Sequence, residues 1–77
     1  MSVEVKTRRI VPATEHERQK WFVLEGYVEG VPAVTKRTSI AVTALVARPA
    51  LLEESRAKLI ADVTEYYENF KLLEDIG

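Results

Sequence analysis

Gln19-Lys20-Trp21-Phe22-Val23-Leu24-Glu25-Gly26-Tyr27-Val28-Glu29 is the stretch on which the fold turns. Successive side chains of an extended chain point to opposite faces. One face then carries Phe22, Leu24, Gly26 and Val28, and the other carries Trp21, Val23, Glu25 and Tyr27. Apolar residues on both sides mark a strand with neighbours. Gly26, lacking a side chain, marks a bulge or a place where another element approaches the backbone.

Downstream, Glu29-Gly30-Val31-Pro32 interrupts the run, and a third strand is predicted from Ala33 to Ala47. An antiparallel hairpin centred on Val31 sets Val28 opposite Val34, Phe22 opposite Ile40 and Glu25 opposite Arg37. Apolar pairs and an opposed charge pair are what a stable register requires. This register puts Lys36 and Thr38 on the core face. The segment Ile40–Ala47 has no decisive periodicity. Its β-branched residues favour strand, and Pro49 ends it by forcing Arg48 into extended geometry.

Upstream, Val3–Arg8 alternates apolar or β-branched residues with charged ones and continues through Ile10-Val11 to Pro12, with a bulge expected at Arg8-Arg9. Pro12 to Glu17 reads as a connection, in which Thr14 and Glu17 have capping-box spacing for one helical turn. At the other end of the chain the period changes. Pro49 suits a first helical position, and Glu53 and Glu54 suit the positive end of a helix. Leu52, Leu59, Val63, Tyr66, Phe70 and Leu73 form one stripe, widened by Ile60 and Tyr67, with Glu54, Lys58, Glu65 and Glu68 outside. A helix over about 49–73 is predicted. The expected fold class is α+β: one small domain over residues 1–77, a three-stranded antiparallel sheet followed by one long C-terminal helix packed on one face.

Composition narrows the chemistry. The chain has 77 residues, no cysteine and one histidine, His16. Disulfides and thiolate-bound metals are therefore excluded. Small domains bury only ~60% of their unfolded surface, and association is one remaining way to bury more. The net charge of −1 divides unevenly, with an excess of basic residues before Pro49 and of acidic residues after it. No segment has the apolar run of a secretory signal or of a membrane span, so a cytoplasmic protein without membrane contact is expected.

No catalytic, cofactor or metal site is expected, and the chain reads as a non-enzyme. The serines are Ser2, Ser39 and Ser55, and His16 lies in a different segment from all of them. Side chains of Glu15-His16-Glu17 alternate in direction on a loop and would not converge on one ion. The glycines Gly26, Gly30 and Gly77 stand singly and form no phosphate loop.

One helix can cover one sheet face only. The other is expected to expose Trp21, Val23 and Tyr27 together with Arg37, Ser39, Ala41, Thr43 and Leu45, a larger patch than scattered apolar residues make. The expected function is accordingly a small interaction module that forms a homo-oligomer, a dimer, or docks on a protein partner. Trp21, Val23, Tyr27 and Leu45 would supply the apolar centre, with Glu25 and Arg37 at its edge. The alternative is nucleic-acid binding, with Trp21 and Tyr27 stacking on bases while Arg8, Arg9, Arg18 and Arg37 meet phosphates. Alternation sends Lys20 and Lys36 to the other side, which favours protein contact. Two competing arrangements are cover of Trp21 and Tyr27 by the Pro12–Glu17 connection, and a coiled-coil seam along the helix stripe, on which Arg56 would intrude.

Overall fold

The computed structural model describes residues 4–76. Three strands, β1 (Val5–Ile10), β2 (Trp21–Val28) and β3 (Val31–Ala41), form an antiparallel sheet in the order β1-β2-β3. A long helix, α3 (Leu51–Ile76), packs against one face of it. Two short helices, α1 (Glu15–Lys20) and α2 (Val42–Ala47), complete the chain. The α+β architecture is the one expected.

Strand β1 pairs with β2 in continuous register from Val5↔Val28 to Ile10↔Val23, so no bulge interrupts Arg8-Arg9. The expected start of this strand at Val3 lies outside the described residues. Thr14 caps α1, its Oγ1 accepting the Glu17 backbone N–H at 3.2 Å. The single turn foreshadowed by the Thr14/Glu17 spacing therefore exists, and it takes Gln19 and Lys20 out of the second strand.

The hairpin register holds at Phe22↔Ile40, Glu25↔Arg37 and Tyr27↔Thr35, then shifts, so that Val28 pairs with Val31 rather than with Val34. Gly30, at φ 84°, lets the chain reverse in two residues, a backbone conformation unfavourable for other L-residues. The surplus residues of β3 bulge out at Pro32, which has no N–H to offer the ladder. The Thr35 hydroxyl donates to the Pro32 carbonyl at 3.0 Å, and Val34 drops fully into the core.

Residues Val42–Ala47 correct the expectation of a third strand reaching Ala47: they form α2. The reason lies in the partner strand. Ala41 pairs with Trp21, the first residue of β2, and everything immediately before Trp21 is helical. Beyond Ala41 the backbone has no strand to bond, and a helix satisfies its polar groups locally.

Leu24, Val28, Val34 and Ile40 from the sheet meet Leu59 and Val63 from α3 in the buried core. Val5, Phe22, Val31, Leu45, Leu52, Tyr67 and Phe70 pack around them. Gly26 is where α3 approaches closest: a Cβ there would lie 2.8 Å from Val63 Cγ2 and 3.0 Å from Leu59 Cγ. The helix stripe is phased slightly differently from expectation, with Tyr67 turned to the core while Tyr66 and Leu73 are exposed. Pro49 and Ala50 form the turn before the helix, whose end at Ile76 lies beyond the expected 73.

Candidate functional site

The sheet face opposite α3 is built from alternate residues of all three strands. Trp21, Val23, Glu25 and Tyr27 of β2 are flanked by Lys6, Arg8 and Ile10 of β1 and by Thr35, Arg37, Ser39 and Ala41 of β3. Register sets the rows: Arg8, Glu25 and Arg37 stand side by side across the middle.

In that row Glu25 is, among the described residues, the only charged one that is buried, 3% exposed. Arg8 donates to Glu25 Oε1 from Nε at 2.8 Å and also from a terminal nitrogen, and Arg37 Nε donates to Oε2 at 2.8 Å. Two guanidinium groups, each itself more than half exposed, lie over the carboxylate and shut it from water. They hold the Glu25 carboxyl below its ordinary pKa, chiefly through the Arg37 hydrogen bond and then through that from Arg8. One positive charge is left over. Arg37 engages Glu25 through Nε, and its side chain remains 62% exposed.

The row divides the apolar part of the face. On one side Tyr27 lies beneath the Arg8 guanidinium, 4.7 Å from ring centroid to Cζ. On the other, Trp21, 39% exposed, shares a groove of about 380 Å³ with Ile10, Pro12, Glu17, Val23, Arg37 and Ser39. Pro12 and Glu17, the latter in α1, thus wall one side of the groove while Trp21 stays partly exposed.

Of the residues expected on this face, Trp21, Val23, Glu25, Tyr27 and Arg37 are there. Leu45 is not: with residues 42–47 coiled into α2, it packs against the core instead. Glu25 occupies the centre of the face and not its edge. The four arginines considered for phosphate contact are scattered. Arg8 and Arg37 are engaged by Glu25, Arg9 lies on the opposite face over the Phe22 ring at 4.7 Å, and Arg18 donates to the carbonyls of Pro12 and Ala13 at 3.0 Å. Lys36 is on the helix side, 5.6 Å from the Tyr66 ring centroid. Sequence reasoning missed Ile10 and the bond from Arg8 to Glu25. The parity of Lys6, Arg8 and Ile10 in the first strand is the signal that carries both.

Among the described residues no three His, Asp or Glu side chains gather where a metal ion would fit, and no helix is long and apolar enough to cross a membrane. Neither a protein-family model, nor a curated protein, nor a solved structure matches this chain.

Proposed function

We propose that this chain is a non-enzymatic interaction module that self-associates through the open face of its sheet. The observation carrying the proposal is Trp21, 39% exposed on the face that α3 leaves uncovered, beside a groove that the exposed Arg37 side chain also lines. Tryptophan and arginine are the side chains that most often dominate the centres of protein contacts. Burying a carboxylate in such a contact is expensive unless it is already paired. Glu25 meets that condition before any partner arrives, because Arg8 and Arg37 satisfy it within the monomer. A cytoplasmic setting goes with this reading, since a chain without cysteine needs no oxidising compartment.

Sedimentation of the wild type beside Trp21→Glu tests the proposal. The expected result is a wild-type mass that rises with concentration above the 8.7 kDa of one chain, and a variant that stays monomeric. Equal masses at every concentration would refute it. The nucleic-acid alternative draws no support from arginines on different faces; failure to bind a short single strand at ~50 mM salt, where phosphate contacts are strongest, would end it.

A further inference from the structure

We infer that the open face meets the same face of a second copy in a closed two-fold contact, with Glu17 of each subunit against Arg37 of the other. The inference rests on self-association through this face and names the geometry that achieves it.

The groove beside Trp21 has an apolar floor and a charge at either end. Ile10, Pro12 and Val23 are half-buried in it, and Trp21 is exposed. Among the described residues its lining holds two charged side chains, Glu17 and Arg37, both exposed. Arg37 stands in the Glu25 row, whereas Glu17 belongs to α1, the helix that runs directly into Trp21. Four residues of extended chain, ~13 Å, separate that row from Trp21. The cation and the anion therefore mark opposite ends of one groove.

Within the subunit these two charges do not meet. Arg37 is paired with Glu25, and Glu17 takes part in no ion pair among the described residues. Arg18, its neighbour in α1, is turned to the carbonyls of Pro12 and Ala13. A guanidinium group has five N–H donors, so the bond from Arg37 Nε to Glu25 leaves others for a second carboxylate.

The pattern selects the partner. Taken together, Arg8, Arg37, Glu25 and Glu17 carry no net charge, so a uniformly acidic or basic surface gains nothing overall from docking here. A surface that is positive at one end and negative at the other is complementary to itself. Half a turn about an axis in the contact plane, at right angles to the groove, lays each end on its opposite. Glu17 then faces Arg37 twice over, and the two Trp21 rings are enclosed between the ion pairs. A contact of this kind uses one patch on both subunits and is complete at two copies.

Sedimentation and the fluorescence of Trp21, the chain's single tryptophan, test this together. The wild-type mass should rise with concentration and level off at twice the 8.7 kDa of one chain. Over the same range the Trp21 emission should move to shorter wavelength as the ring leaves water. Glu17→Arg sets like charges against each other at both ends and should weaken the dimer about tenfold or more. Salt supplies the sharper readout. Raising it from ~50 to ~500 mM should weaken the wild-type dimer and strengthen that of Glu17→Arg, because screening removes attraction in one and repulsion in the other. Far-UV circular dichroism checks folding. Should Glu17→Arg lose helix signal, Glu17→Gln removes the charge alone and should weaken the dimer less while flattening its salt dependence. If Glu17→Arg dimerises like wild type at both salt concentrations while Trp21→Glu is monomeric, the face is used in another orientation and only this inference falls. A wild-type mass that grows past two copies also overturns it alone. A monomeric wild type, or Trp21→Glu that assembles like wild type, overturns both proposals.

Discussion

Glu25 and Arg37 face each other across β2 and β3, the carboxylate Oε2 accepting Arg37 Nε at 2.8 Å while Glu25 is almost wholly withdrawn from water. Arg8 closes the carboxylate from the other side. A buried anion held by two partly exposed cations loses a charge-assisted partner when either is removed.

Arg37→Met should therefore destabilise the fold by about 1–3 kcal/mol, the magnitude of a lost hydrogen bond to a charged group. Lys6→Met, which breaks only the exposed pair with Glu29, should change much less. Urea unfolding of both variants beside wild type measures the contrast, and equal losses would contradict the account of Glu25.

Acid should reveal the same row. The folded-state pKa of Glu25 is depressed below its ordinary 4.5 by Arg37 and Arg8. A depressed carboxylate contributes stability that is fully present above the ordinary value and is lost as pH falls toward the folded-state pKa. The melting temperature should hold steady down to about pH 5 and drop below it. In Glu25→Gln the drop should be shallower from a lower starting point.

Gly26→Ala places a methyl group 2.8 Å from Val63 Cγ2. Overpacking of this kind costs about 1–3 kcal/mol. Val63→Ala removes the nearer of the two obstructing side chains, Leu59 being the other, so the double variant should be more stable than the sum of the two single effects predicts. Additive losses would show that the helix moves away as a body.

Gly30→Ala meets no atom within 4 Å, so its effect isolates the backbone. At φ 84° the cost should be about 1 kcal/mol. Gly30→Asn, better tolerated in that conformation, should recover part of it. Thermal unfolding of the two variants checks the order.

The alternation of β2, its antiparallel pairing with β3 from Phe22↔Ile40 to Tyr27↔Thr35, and the helical period after Pro49 were all legible in the chain. So was the parity that puts Trp21, Val23, Glu25 and Tyr27 on one face. These are local properties, set by which side a residue points to and where the next apolar residue falls. The Val28↔Val31 shift was not legible, because a two-residue reversal at Gly30 and a longer loop both suit the same residues. Nor was the phasing of neighbouring Tyr66 and Tyr67, which depends on how α3 is rotated over Gly26.

By itself, then, the sequence determined the type of β2 and α3, their faces and the absence of thiol chemistry, because side-chain periodicity and composition need no partner to act. Tertiary structure alone decided that residues 42–47 coil into a helix, that Leu45 joins the core, and that Glu25 is sealed between Arg8 and Arg37. Each of those outcomes depends on what lies beside the residue in space: a strand that ends at Trp21, a sheet covered on one side, and a first strand whose register delivers Arg8 to the carboxylate.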